Sequence, residues 1–163
     1  MNIRQVQRND AAAICGIYNY YVEHTAVTFD TVLLPDKAME SRIRETLQAG
    51  LPFYVAEQEG EIRGYCYIHQ WDKRQAYSST KEITVYLRPG VQGRGIGTQL
   101  LSRLLPEIDR RQTHVLIAGI CLPNEASVRL HEKFGFRQVS CMKQIGFKLG
   151  EWQDVGHWQL IIE

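Results

Sequence analysis

The sequence has almost no excess of charge of either sign. Its 19 Lys and Arg against 18 Asp and Glu leave +1 with histidine neutral, which argues against a surface built for nucleic acid or another polyanion. It also lacks paired cysteines: Cys15, Cys66, Cys121 and Cys141 are far apart, with no CxxC and no Cys/His cluster at zinc spacing. No metal site or disulfide framework is indicated, and buried free thiols in a reducing compartment are expected. There is no long hydrophobic run. The longest, Val115 to Leu122, is interrupted by Gly119 and falls far short of a bilayer-spanning helix. The N-terminal residues contain no apolar h-region of a secretory signal. Repeats, low-complexity tracts and linker-like stretches are missing too. With 163 residues, 44% hydrophobic and 23% charged, the expectation is one soluble domain over residues 1–163, located in the cytoplasm, with neither nucleic acid nor membrane as partner.

What is present is an alternation of strand and helix signals. Residues 2–6 read as a short strand. Ile14, Ile17, Tyr18, Tyr21 and Val22 recur at helical spacing, with Asn9 or Asp10 able to cap that helix. A second helix is expected from Pro35 to Ala49, stopped by Gly50. Phe53–Gln58 and Ile62–Gln70 read as strands joined by a tight turn at Glu59-Gly60-Glu61. A polar loop over Asp72–Ser79 precedes a strand from Lys81 to Leu87, which Pro89-Gly90 ends. The next helix carries Ile96, Leu100, Leu101, Leu104, Leu105 and Ile108 on its buried face, and Pro106 bends or shortens it. Val115–Ile120 reads as a strand covered on both faces. A helix from Pro123-Asn124 to Gly135 and two aromatic-rich strands over Arg137–Glu163 complete the chain. The fold class implied is α/β, a mixed sheet with helices on its faces.

The strongest local signal is Gln92-Gly93-Arg94-Gly95-Ile96-Gly97-Thr98 between a strand and a helix. Alternating glycines leave backbone N–H groups free to converge, and the helix adds its positive end, so phosphate can bind there without net positive charge. Two nucleotide readings fail on detail. Gly90 and Gly95 have the P-loop spacing, but Ile96 stands where that loop needs lysine. Gly93-x-Gly95-x-x-Thr98 has threonine in place of the third small residue of a dinucleotide fingerprint.

The pattern that fits is Gln/Arg-x-x-Gly-x-Gly. With Asn124-Glu125-Ala126-Ser127-Val128-Arg129-Leu130-His131-Glu132-Lys133-Phe134-Gly135-Phe136, it makes the chain resemble the GNAT superfamily of acetyl-CoA-dependent N-acetyltransferases. The likeness is strongest to the phosphinothricin and methionine sulfone/sulfoximine branch. It is carried by Ile17-Tyr18-Asn19, Thr28-Phe29, Trp71-x-x-Arg74-x-Ala76-Tyr77, Thr80-x-Glu82-x-Thr84-Val85-Tyr86 and Gly146-Phe147-Lys148 to Gln159.

The resemblance implies a GNAT fold: a central, mixed, mostly antiparallel twisted sheet flanked by about four helices. It implies transfer of acetyl from acetyl-CoA to the α-amine of a small amino acid or analogue in a ternary complex, without metal, by a protein that forms a homodimer. Val85, Tyr86 and Leu87 would run along the pantetheine arm. Gly93, Arg94, Gly95, Ile96, Gly97 and Thr98 would wrap the pyrophosphate, and Asn124, otherwise a helix N-cap, would reach the pantetheine amides.

Acylation needs a neutral amine, and an α-amino group titrates near about 8, so a base must take a proton. Glu82 lies where the family places that base, and partial burial there would raise its pKa. Without the family it reads as a strand carboxylate paired with Lys81 or Arg74. A backbone N–H of Val85 or Tyr86 could meet the oxyanion. Arg74 and Tyr77 occupy the loop that grips the acceptor's acidic group in this branch, and Phe29 would wall it. His131 stands in the last helix where many relatives have a tyrosine acid, and reads equally as a structural histidine. Asp72 is a departure: phosphinothricin enzymes can carry a basic residue there. The competing functions are acetylation of a peptide N-terminus or polyamine, a non-catalytic acyl-CoA sensor, and a nucleotide-binding protein.

Overall fold

A computed structural model describes all 163 residues. In chain order its elements are β1 (Asn2–Gln5), α1 (Ala11–His24), α2 (Asp36–Gln48), β2 (Phe53–Gln58), β3 (Glu61–Gln70), β4 (Thr80–Leu87), α3 (Ile96–Leu104), β5 (Val115–Leu122), α4 (Glu125–Lys133), β6 (Arg137–Lys148) and β7 (Glu151–Ile161). The seven strands form a sheet in the order β1-β2-β3-β4-β5-β7-β6. β4 and β5 run parallel, while the β1–β2, β2–β3, β5–β7 and β6–β7 pairs are antiparallel. This is the mixed, helix-flanked sheet expected. The chain divides into two units, one of residues 1–20, 33–69 and 84–108, the other of residues 21–32, 70–83 and 109–163. β4 contributes its first half to the second and its last half to the first.

In the first unit, Ile14, Ile17 and Tyr18 of α1, Met39 and Ile43 of α2, and Leu100, Leu101 and Leu104 of α3 are buried with Phe53, Val55 and Tyr65 of the strands. Each such side chain contributes roughly 1.5–3 kcal/mol by leaving water. Rings stack along the sheet: Phe53 on Tyr67 at 4.6 Å between centroids, and Tyr65 on Tyr86 at 5.7 Å. Just before α1, the Asp10 carboxylate closes a 3-10 turn over Arg8–Asp10 by accepting from the Gln7 N–H at 2.7 Å. It also accepts from both Arg4 terminal nitrogens at 2.8 and 2.9 Å. A charge this buried stays where its counter-ion is, and Arg4 sits on the neighbouring β1. Pro106 shortens α3, which gives way to a 3-10 turn over Leu105–Glu107. Leu105, expected on the buried face, is therefore only half-buried.

In the second unit, Leu116, Ile117, Ala118 and Ile120 of β5 are buried with Phe136 and Trp158. The Trp158 indole donates to Glu132 Oε1 at 3.1 Å. The expected double-sided cover of β5 fails at one residue: Gly119 is exposed. All four cysteines are free, but only Cys15 and Cys66 are buried; Cys141 is exposed. β6 and β7 are joined through Leu149 and Gly150, both at positive φ (56° and 75°), as a two-residue hairpin requires. No helix is long and apolar enough to cross a membrane.

Candidate active site

The glycine turn lies in the first unit. After β4, the Val91 N–H returns to the Arg88 carbonyl at 3.3 Å, and the chain passes through Gly93 (φ 78°) and Gly95 (φ 76°) into α3. A β-carbon at either glycine would meet nothing within 4 Å. Backbone conformation rather than crowding therefore demands glycine at both. Gly95 is the N-cap residue of α3, and no side chain caps the helix, so its first-turn N–H groups are offered outward. Gln92 to Gly95 are exposed, whereas Ile96 and Gly97 are buried and anchor the helix start. An uncapped helix N-terminus behind two exposed left-handed glycines fits a pyrophosphate. Arg94 is exposed beside it, and Thr98 is half-buried one turn into the helix.

The adjoining end of β4 is held closely. Val85, Tyr86 and Leu87 are half-buried, and the Tyr86 ring meets Tyr18 edge-on at 5.5 Å. Gly64 on β3 permits the approach, because a β-carbon there would stand 2.6 Å from Leu87 Cδ2 and 3.0 Å from the Tyr86 carbonyl oxygen.

The other candidate residues lie in the second unit. Glu82, half-buried, is the last β4 residue in register with β5: the ladder pairs Thr80, Lys81 and Glu82 with Val115, Leu116 and Ile117. The neighbouring Lys81 is buried, donating to Gln70 Oε1 at 3.0 Å and to the Ser78 carbonyl. Burial lowers its pKa. Gln70 in turn donates to the Tyr77 carbonyl at 2.7 Å, so Lys81 and Gln70 together set the loop that carries Arg74 and Tyr77. Within it the Arg74 guanidinium lies 4.9 Å over the Tyr77 ring, and Tyr77 meets Trp71 edge-on at 5.1 Å. Arg74 pairs with Asp72. Its fork engages Asp72, Nε to Oδ1 at 3.0 Å and Nη2 to Oδ2 at 3.1 Å, which holds the Asp72 carboxyl below its ordinary range.

Phe29 is exposed on one side and packs on β6 through the other: a β-carbon at Gly146 would collide with its ring. The buried Lys148 fixes the same loop by donating to the Thr28 carbonyl at 2.7 Å. Asn124 caps α4, its side-chain oxygen accepting from the Ser127 N–H at 3.2 Å. His131 is 4% exposed, with Nδ1 2.8 Å from the Ser127 carbonyl and Nε2 buried without a partner. Burial lowers its pKa, which keeps the ring neutral at ordinary pH. No group of three or more His, Cys, Asp or Glu side chains is arranged to hold a metal.

Three residues of this unit escape the sequence reading. Lys148 carries no signal of its loop contacts. Gly119 has a weak one, as the glycine that breaks an apolar strand. His157 has none. Its Nδ1 is 2.7 Å from Ser140 Oγ, and its register places it opposite Gly119.

Comparison with known proteins follows the same lines. A sequence model of the acetyltransferase (GNAT) domain matches residues 3–157. The L-methionine sulfoximine/L-methionine sulfone acetyltransferase of Salmonella typhimurium is 39% identical over 165 residues, covering 100% of this chain and 95% of that one. The phosphinothricin N-acetyltransferase of Streptomyces viridochromogenes is 38% identical over 98% of this chain and 86% of its own. The yncA structure from Salmonella typhimurium, solved with its cofactor acetyl-CoA, superposes with a TM-score of 0.95 at 36% identity, covering 99% of this chain and 94% of that one. A domain match from residue 3 to residue 157, and relatives of this similarity from end to end, mean that the chain belongs to the GNAT family of acetyltransferases.

Proposed function

We propose that this protein transfers the acetyl group of acetyl-CoA to the α-amino group of a small amino acid or analogue, of the methionine sulfone, methionine sulfoximine or phosphinothricin type. One observation carries the reading. A single strand, β4, holds a half-buried carboxylate, Glu82, and three residues later enters the segment that leads to the uncapped helix and its two left-handed glycines. The relatives named for these acceptors support the same class. All 163 residues then act as one catalytic domain, in keeping with a family match that spans both units.

In this reading the first-turn N–H groups of α3, with Gly93, Arg94, Gly95, Ile96, Gly97 and Thr98, hold the pyrophosphate of acetyl-CoA. Val85, Tyr86 and Leu87 take the pantetheine arm by backbone hydrogen bonds. The Asn124 cap uses its side-chain oxygen, and its amide nitrogen serves the same arm. Acetyl-CoA supplies an activated acyl carbon. Glu82 takes a proton from the acceptor nitrogen as the N–C bond forms, directly or through water. A Val85 or Tyr86 N–H stabilises charge on the carbonyl oxygen. Arg74 and Tyr77 meet the acceptor's acidic group, Arg74 exchanging Asp72 for it, while Phe29 closes one side. No acyl-enzyme is needed, so positioning supplies much of the acceleration.

A homodimer is the assembly we propose. Exposed Val139, Ile145, Phe147, Leu149 and Trp152 on the β6–β7 hairpin, with Phe147 against Trp152 at 5.0 Å, support it; sedimentation as a monomer would refute it. A cytoplasmic setting agrees with four free thiols.

The deciding experiment follows acetyl-CoA-dependent thiol release with methionine sulfone, methionine sulfoximine, phosphinothricin, ordinary amino acids, polyamines and a short peptide. Turnover concentrated in the first three, and reduced about 10²–10⁴-fold by Glu82→Gln with acetyl-CoA still bound, is the expected result. Turnover only on the peptide or polyamines, or none on any acceptor, overturns it.

A further inference from the structure

Gly119 is an exposed residue in a strand otherwise buried from Leu116 to Ile120. The point its missing β-carbon would occupy lies 3.8 Å from Glu82 Oε1 and 3.8 Å from both Cδ2 and Nε2 of His157. The registers explain this. Gly119 is opposite His157 on β7, and Glu82 is opposite Ile117, two residues back along β5, so strand alternation sends all three to the same face. Ser140 Oγ, 2.7 Å from Nδ1, holds the imidazole with its Nε2 edge toward the gap. A carboxylate and an imidazole nitrogen thus flank an open place on the sheet, cleared by a glycine. All four residues belong to the second unit.

Two proton acceptors suit the acetylation of an ammonium. The nitrogen forms one bond to carbon while the carbon–sulfur bond breaks, and two protons leave the nitrogen. One ends on the thiolate sulfur and the other goes to water. A single carboxylate holds only one of them at a time. We infer that His157 is a second catalytic proton acceptor in this reaction, its Nε2 taking the first proton from the acceptor's ammonium. In the tautomer whose Nδ1–H donates to Ser140 Oγ, Nε2 presents its lone pair to the gap. The neutral amine then attacks, and Glu82 takes the second proton and passes it toward the departing sulfur. His157, half-exposed, returns its proton to solvent. The inference rests on the acceptor reading above.

Its test uses the full chain, acetyl-CoA and the best acceptor of the panel, with His157→Ala and His157→Gln. The expected result is a fall in kcat of about 10²-fold in both variants, with the KM for acetyl-CoA unchanged. Added imidazole should restore a substantial part of kcat in His157→Ala and none in Glu82→Gln. A His157→Ala variant that keeps the parental kcat, or loses it without imidazole rescue, overturns the inference. Should His157→Ala lose its melting transition, parental kcat in His157→Gln, which can still hold Ser140 but cannot take the proton, overturns it equally. A parent inactive on every acceptor sinks the functional reading and this one together. An active parent with indifferent His157 variants sinks this one alone.

Discussion

Replacing Gly119 with alanine separates stability from activity in a way few single changes can. Gly119 has no positive φ to lose, and its new methyl would touch Glu82 Oε1, His157 Cδ2 and His157 Nε2 each at 3.8 Å, ordinary van der Waals contact. Nothing has to move, and the unfolded chain loses freedom, so Gly119→Ala should stabilise by about 0.4–1 kcal/mol. For a chain of this size that raises Tm by roughly 1–4 °C. In the proposed reaction the same methyl occupies the space the acceptor amine needs. A nitrogen about 3 Å from Glu82 and a carbon 3.8 Å from the same oxygen compete for one volume, and a displacement on the order of 1 Å costs about 10²-fold in rate. Thermal melts and thiol-release kinetics on one preparation give both numbers. The expected outcome is a higher Tm, a kcat/KM for the acceptor lower by ten- to a hundred-fold, and an unchanged KM for acetyl-CoA. An unaltered kcat/KM would refute the placement of the acceptor beside Gly119, and a lower Tm would refute the packing reasoning.

Two further outcomes follow from the geometry. Gly95→Ala forces a side chain into a φ of 76°, costing about 1–2 kcal/mol, and it should raise the KM for acetyl-CoA while leaving that of the acceptor nearly alone; an unchanged acetyl-CoA KM counts against phosphate binding at this turn. His131 has its pKa lowered by burial in the folded chain, so on acidification below about 6.5 the unfolded chain takes the proton first. That component of stability is full above this range and declines toward lower pH by up to about 1.4 kcal/mol per pH unit, until the folded histidine is itself protonated. Denaturant melts at neutral and mildly acidic pH should show this decline in the parent and lose it in His131→Gln; equal slopes would mean the buried ring is not the cause.

Local rules made much of this fold legible. β2 runs from Phe53 to Gln58 as its apolar pattern and the following Glu59-Gly60 turn indicate, both turn residues adopting positive φ. The glycine turn could be read because Gly93 and Gly95 take a backbone conformation that other residues avoid, and the end of α3 because Pro106 cannot continue it. The Asp72–Arg74 fork was legible in principle, since Asp109-x-Arg111 repeats it with nearly the same distances. Asp72, a departure from the basic residue of the family pattern, is the partner of Arg74. The gap at Gly119 was not legible. It depends on the β5–β7 register that brings His157 across, and on a β4–β5 ladder that reaches no further than Glu82. A pattern of alternating residues within one strand says nothing about which neighbour it will meet.

The Asp72–Arg74 fork has a consequence for selectivity. In the role proposed for Arg74, an acceptor that uses the Nε–Nη2 edge of the guanidinium must displace a carboxylate tethered two residues away and already seated there. A short tether sets an effective concentration in the millimolar range or above, so a dilute acceptor with a single weak acidic contact leaves the fork shut. Occupancy then depends on acceptors whose anionic group outcompetes an aspartate or whose other end is gripped independently. In that role the loop would set a threshold, favouring accumulated substrate over traces of it.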